Sequence, residues 1–394
     1  MIHARVRILL GDQVVMADSA LRVLLLDAEL TFRGSSLLTL RIARGLERRE
    51  IDTALVCTRF DGLDPSLLKG VRLHEIPGIN VPVWGQLVLR TLYRDLKDQR
   101  PDVIHLQDSR LLPQGIRLAR KLRRPLIVSV GDHAEASSFP MKAIAPELKM
   151  VISVSESVQQ QIPAFPAGLS IERRVIMPGV GVPDATSIDA PLDDERPPVV
   201  GMAGPLEIVK GAAFFLRACH RVVEAGHNIR IVIAGSGPEE RSLRQLASSL
   251  ELSSRLTFVD GGVSMAGYLS AIDIFCLPSL QQGIGVMMLE AMALGRPVVA
   301  SGVGGVLSVL EDNVTGLIVP PSDSRSLADR IIELLENRER ARQLASAGQS
   351  LVRTRFNEER MLDELIAVYR EVQEAEPRTQ EAIPIMSRTT GTWH

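Results

Sequence analysis

Two charged side chains in the second half of the chain are not explained by their neighbours. The stretch from Pro278 to Ala300, PSLQQGIGVMMLEAMALGRPVVA, reads as a helix with a single carboxylate, Glu290. Helical spacing places Val286, Met287, Ala293 and Leu294 beside it, all apolar. A helix apolar on every side is buried, and a buried carboxylate needs hydrogen-bond donors. Lys210, in GPLEIVKG, falls at the start of an expected helix, where a cation opposes the helix dipole. A phosphate held at that helix start reverses the penalty. A ribose offers hydroxyl donors to Glu290, so one nucleoside diphosphate accounts for both charges. The alternatives are a solvated lysine, and a buried pairing of Glu290 with an arginine or a backbone amide.

Glycine loops surround these two residues in the sequence. Gly204 follows the segment PVVGMA, and GSGP, Gly235 to Pro238, follows IRIVIA with glycines at Gly235 and Gly237. QGIG, Gln282 to Gly285, opens the helix of Glu290, and SGVGG, with Gly304 and Gly305, follows RPVVA. Glycine lets a backbone approach a ligand and presents free amides. Each loop alone fits an ordinary strand-to-helix turn. All four fall at the carboxyl ends of expected strands, which is where open parallel sheets bind ligands.

The elements that must hold these loops alternate between strand and helix. LRVLLLDAE, IDTALVCT, VRLHEIPG, PDVIHLQD, PLIVSVGDH and MVISVSES read as strands, with LLTLRIARGLERRE, GQLVLRTLYRDLKDQR and GIRLARKLRR as helices among them. A polar, proline-containing linker runs from Asp184 to Pro198. A second set of the same kind follows, from PVVGMAG to GLIVPP. The expected architecture is α/β, two Rossmann-like doubly wound domains over 21–183 and 197–355, with a disordered polar tail over 374–394.

Composition removes several function classes. The chain has 394 residues, enough for two or three domains, with 45% hydrophobic and 23% charged residues. A net charge of -2 gives no reason to expect a nucleic-acid partner. Cys57, Cys219 and Cys276 lie far apart, with neither pairing nor metal spacing. There is no GxxxxGK[ST] loop and no HExxH, so no metal site is expected. No apolar run reaches membrane-spanning length, and the first residues make a poor signal peptide. A cytoplasmic protein is expected. The basic run around Arg117 to Arg124 reads as a solvated helix face, with contact to anionic lipid the alternative.

At these residues the chain resembles the retaining glycosyltransferases of family 4, which have the GT-B fold. PSLQQGIGVMMLEAMALGRPVVAS is similar to that family's Glu-x7-Glu segment, PS-x-x-E-G-F-G-x-x-x-x-E-A-M-A-x-G-x-P-V-V. SGVGGVLSVLEDNVTGLIVPPSD resembles the block that follows it. RGSS, DVIHLQD and VISVSES carry a looser likeness in the first half. The resemblance implies two domains facing a central cleft and a final helix, 356–373, packing back on the first. It implies a sugar moved from a nucleotide-sugar donor to a glycan, lipid-linked or small-molecule acceptor, with retention, no metal and no other cofactor. Lys210 would hold the diphosphate and Glu290 the ribose. Gly283, Ile284 and Gly285, flanked by Pro278, Gln282 and Val286, would line the sugar and phosphate side. Gly34 would approach the diphosphate from the first domain.

Several matched positions depart from the pattern. The usual Gly-Arg reads Gly204-Pro205, and proline cannot donate to phosphate. The first Glu of the pair is Gln282, and the Glu after the Gly-Gly pair is Ser308. The usual Asn is replaced at Pro178. The first-domain histidine falls on Gly131, so Asp132 or His133 is the substitute, His133 facing the same side if the strand continues. Arg33, beside Gly34, is the candidate to replace the missing phosphate arginine, against a solvated loop residue as the alternative. The replaced positions also leave a second reading open, a weakened or inactive relative serving as a binding or scaffold subunit.

Overall fold

The computed structural model describes residues 21–61, 63, 68, 70–77, 92–94, 96, 100–182, 191–192, 196–259 and 265–375. Most of the expected helix GQLVLRTLYRDLKDQR, most of the linker and nearly all of the expected tail lie outside these residues.

Strand β1 (Arg22–Asp27) enters the interior at Val23 and stays buried to its last residue. It lies inside a seven-stranded parallel sheet, between β2 (Asp52–Cys57) and β4 (Val103–Leu106), with β3 (Arg72–Glu75), β5 (Leu126–Val130), β6 (Leu148–Ser153) and β7 (Glu172–Val175) beyond them. The order is β3-β2-β1-β4-β5-β6-β7. Such strands are covered on both faces, which is why Leu24, Leu25 and Leu26 run on without alternation. The helices of this unit are α1 (Gly34–Arg48), α2 (Leu112–Leu122), α3 (His133–Ser137) and α4 (Glu156–Gln161).

A second parallel sheet has the order β10-β9-β8-β11-β12-β13. Its strands are β8 (Val199–Ala203), β9 (Arg230–Ala234), β10 (Leu256–Val259), β11 (Ile274–Leu277), β12 (Val298–Ser301) and β13 (Leu317–Val319). Its helices are α5 (Ala212–Glu224), α6 (Glu240–Ser249), α7 (Met265–Ser270), α8 (Val286–Ala293), α9 (Ser324–Glu336) and α10 (Arg338–Arg355). In each sheet the strand order reverses beside the first strand, between β1 and β4 and between β8 and β11. That reversal opens a crevice at the carboxyl ends of the strands.

Helix α8 explains its own composition. Met287 and Met288 share one buried cluster with Leu37 and Leu40 of α1 and with Val298 and Ala300 of β12. One side of α8 packs on its own sheet and the other on the first unit, so no polar face is left.

The last helix, α11 (Glu358–Glu374), lies against α1. A Cβ on Gly45 would sit 2.4 Å from Cδ1 of Leu362, so any larger residue there must displace that leucine side chain. Arg48 pairs with Glu358, and Arg49 with Glu359 and Asp363. Tyr369 reaches the sheet, its Oη 2.7 Å from Nδ1 of His105, whose Nε2 is 2.8 Å from Oγ of Ser129. Burial pushes His105 down to about 3, so the ring is neutral and tied between strand and helix. Asp108 is paired with Arg110.

Candidate functional site

The strand ends of the two sheets meet across a cavity of about 400 Å³. Its lining follows the carboxyl ends of β1, β4, β5, β8 and β11, from Asp27 and Asp108 on one side to Gly204 and Gly285 on the other. Two helix amino termini open onto it, α1 at Gly34 and α8 just after Gly285. The first amides of a helix have no partner within it and attract anions. A Cβ on Gly34 would lie 2.9 Å from Cβ of Val286, so glycine there lets the two termini meet.

Lys210 lines this cavity. It ends a single 3-10 turn, Ile208–Lys210, rather than opening α5. Gly211 follows at φ +72, and a Cβ there would fall 1.9 Å from the carbonyl oxygen of Pro278. Lys210 Nζ donates to Oε1 of Gln282 at 3.1 Å, an oxygen that also accepts from Oγ of Ser279 at 3.2 Å. Burial pulls the Lys210 ammonium below the usual lysine range, while the charges of Asp132 and Glu207 pull it back up.

Arg33 lines the same cavity and forms an ion pair with Glu207 of the other unit at 3.5 Å. Its Nε is buried and has no hydrogen-bond partner. Arg33 is thus a partly exposed side chain that reaches the other unit across the cleft. Pro205 and Pro178 also line the cavity.

The first unit contributes further acids around Asp132. Asp27 accepts from Oγ1 of Thr39 at 2.7 Å, and burial pushes its carboxyl up to about 6. Glu135 accepts from the amides of Gly131 at 2.6 Å and Ser109 at 2.7 Å, yet burial still pushes it up to about 7. Glu29, Asp108 and Asp132 complete this side. Asp132 caps α3 by accepting from the amide of Glu135 at 2.8 Å. The acids come from three different strand ends, so no local motif marks them. The available signal was the position of each just after an apolar strand.

Several expected residues are placed elsewhere. Strand β5 ends at Val130, so His133 begins a helix instead of continuing the strand. Its ring lies at the loop of Gly304, where a Cβ would sit 3.1 Å from Cε1 of His133, and it does not line the cavity. Gly235 and Gly237 bring their loop onto the backbone of Gly204 and Leu206, at 2.0 and 2.5 Å from an added Cβ. Gly304 and Gly305 do the same against Gln282 and Gly283. These four glycines, and Pro278, shape the loops from behind the lining. Gly34, Gly204, Gln282, Gly283, Ile284, Gly285 and Val286 are in it.

Glu290 takes one of its partners from the other unit. Its donor is Arg41 of α1, with Nη2 2.5 Å from Oε1. The pair lines a separate cavity of about 200 Å³. That contact satisfies one of its carboxylate oxygens, Oε1, within the folded chain. Among the described residues no group of three or more His, Cys, Asp or Glu is placed to hold a metal ion, and no helix is long and apolar enough to cross a membrane.

Two facing Rossmann-like units with a cation-bearing cleft between them define a GT-B protein. The family model described as Glycosyltransferase Family 4 matches residues 32–180, and that described as Glycosyl transferases group 1 matches 184–351. The chain belongs to the group 1 glycosyltransferases. An alpha-D-kanosaminyltransferase of Streptomyces kanamyceticus is 31% identical over 184 residues, 46% of this chain and 47% of that one. An uncharacterized glycosyltransferase of Methanocaldococcus jannaschii is 27% identical over 336 residues, 74% of this chain and 83% of that one. The match thus spans about half the length of the first relative and most of the second. Among solved structures, HepE of Anabaena in complex with UDP-glucose superposes with a TM-score of 0.74 at 20% identity, covering 89% of this chain and 99% of that one. Sucrose-phosphate synthase from Thermosynechococcus elongatus does so with a TM-score of 0.73 at 19% identity, covering 90% and 100%. At these identities the likeness is one of fold.

Proposed function

We propose that this chain transfers a sugar, of hexose type, from a nucleoside diphosphate donor to an acceptor hydroxyl with retention of configuration and without a metal. The observation that carries the reading is the meeting of Lys210 and two helix amino termini in one cavity between the sheets. A diphosphate there faces the ammonium and free amides of both units. The bond between the anomeric carbon and the diphosphate oxygen breaks, and negative charge grows on that oxygen. Fixed positive groups already aimed at it lower the barrier without reorganising. Arg33 supplies a second cation from the first unit, standing in for the arginine absent at Pro205.

The acceptor hydroxyl enters from the acid-lined side of the first unit. Its oxygen bonds to the anomeric carbon on the face the diphosphate leaves, and its proton passes to the departing oxygen. Asp132 orients the acceptor from the rim, and Gly283, Ile284 and Gly285 hold the sugar. Glu290 reaches the ribose from the neighbouring cavity, and His133 supports the loop of Gly304. The acceptor is a glycan, a lipid-linked sugar or a small molecule, and a cytoplasmic setting with peripheral membrane contact suits a lipid-linked one. The HepE complex with UDP-glucose supports a nucleotide-sugar donor of this kind.

The test is a panel of UDP-, GDP-, ADP- and dTDP-sugars, with release of nucleotide and the anomeric proton coupling of the product as readouts. One donor turned over with the anomeric configuration kept is the expected result. An inverted product contradicts retention. Binding of a nucleotide without turnover of any donor favours the scaffold reading, to which proline at position 205 lends support.

A further inference from the structure

Helix α1 carries Arg41, Arg44 and Arg48 along one side, and all three line the cavity of about 200 Å³ with Met265, Glu290 and Glu358. Helix α1 of the first unit, α8 of the second and the returning helix α11 meet there, beside the start of α7 at Met265. Arg41 joins them. Its Nη2 holds Oε1 of Glu290 at 2.5 Å and its Nη1 lies 3.3 Å from Oε2 of Glu358. Arg41 and Glu290 are 20% and 13% exposed. Arg48 holds the other oxygen of Glu358.

This arrangement leaves two groups unused. The Nε of Arg41 is buried without a hydrogen-bond partner. Oε2 of Glu290 accepts no hydrogen bond among the described residues, while Oε1 is taken end-on. The hydroxyls of a ribose are donors, so they fit the free carboxylate oxygen that Arg41 leaves open by holding Oε1. We propose that Arg41, a residue of the first unit, is a donor-positioning residue that holds Glu290 toward the ribose and couples ribose binding to contact between the two units. The proposal rests on the reading of Glu290 as the ribose contact.

Charge supports the same role. Burial raises the Glu290 carboxyl above its ordinary range, Arg41 lowers it, and the nearby Glu358 raises it. Without Arg41 the buried carboxylate faces Glu358 uncompensated, apart from Arg44 and Arg48 on the same cavity wall. A carboxylate kept ionised accepts from a hydroxyl about twice as strongly as a neutral acceptor.

The experiment compares wild type, Arg41→Ala and Arg41→Lys by calorimetry with UDP, GDP, ADP, dTDP and inorganic diphosphate, alongside melting curves. Inorganic diphosphate lacks the ribose, so it isolates the proposed contact. Arg41→Ala is expected to weaken the nucleoside diphosphate by about tenfold or more and leave inorganic diphosphate unchanged, with Arg41→Lys recovering part of the loss. A folded Arg41→Ala protein with wild-type nucleotide affinity overturns the proposal. So does an equal loss of both ligands together with a lowered melting temperature, which makes Arg41 a structural strut. If Arg41→Ala does not fold, Arg41→Lys carries the comparison with the same two ligands. A wild type that binds none of the nucleotides overturns the donor reading itself, and this proposal with it.

Discussion

Lys210 and Gln282 face each other across the mouth of the donor side, Nζ to Oε1 at 3.1 Å. A charged ammonium here rests on a neutral amide, in a setting where burial already disfavours its charge. The lysine must be protonated to hold a diphosphate. Nucleotide affinity is therefore expected to fall at alkaline pH, earlier than an ordinary lysine dictates, because the group loses its proton below the usual range. Gln282→Glu places a carboxylate against it and moves that fall to higher pH. Calorimetric affinities taken from neutral to alkaline pH for both proteins check the sign. Identical profiles would leave Lys210 outside the binding event.

Pro205 lines the cleft where a second phosphate arginine is absent. Pro205→Arg is expected to tighten a nucleoside diphosphate by roughly tenfold or more, since a charge-assisted hydrogen bond contributes about 1.5–3 kcal/mol. Affinity for UDP or GDP before and after the change measures it. No gain would mean that Arg33 already serves this contact or that the diphosphate lies elsewhere.

Gly283 touches the first unit through its missing side chain. A Cβ would lie 2.4 Å from the carbonyl oxygen of Gly131, a backbone atom that cannot swing aside. Gly283→Ala should wedge the loops apart, costing about 1–3 kcal/mol of stability in urea unfolding and most of the turnover. A variant with full activity would show that this contact is dispensable to the closed cleft.

Glu135 sets a pH dependence of stability. Its carboxyl is raised from 4.5 to about 7, so the folded chain binds the proton more tightly than the unfolded one. The stability this group contributes is full below pH 4.5 and is lost as pH rises through about 7. Glu135→Gln should flatten that decline in melting temperature. An unchanged slope would place the titration on other groups, with Asp27, raised to about 6, the first to examine.

The alternation of apolar strands with helices was legible, as was the placing of Lys210, Gly283 and Gly285 at strand ends. Helices α9 and α10 and strand β7 were not anticipated, although α9 has clear amphipathic spacing once its cap at Asp323 is recognised. The partner of Glu290 was only one of the alternatives, because Arg41 stands 249 residues away and only the packing of α1 on α8 brings it near. The glycines of GSGP and SGVGG fit either a ligand or a tight turn in the sequence. They face neighbouring loops, and a glycine needed for backbone approach looks the same in sequence whichever side approaches. His133 was placed by extending a strand that Asp132 ends by capping a helix. The acids Asp27, Asp108 and Glu135 gather only through strand order, which no local spacing encodes.

The central claim is that the cavity between the sheets holds a nucleoside diphosphate through Lys210. Calorimetric titration of wild type and Lys210→Ala with UDP, GDP, ADP and dTDP tests it most directly. Saturable binding of one nucleotide, lost in Lys210→Ala at an unchanged melting temperature, is the predicted result. Binding that survives the substitution, or no binding by wild type, would contradict it.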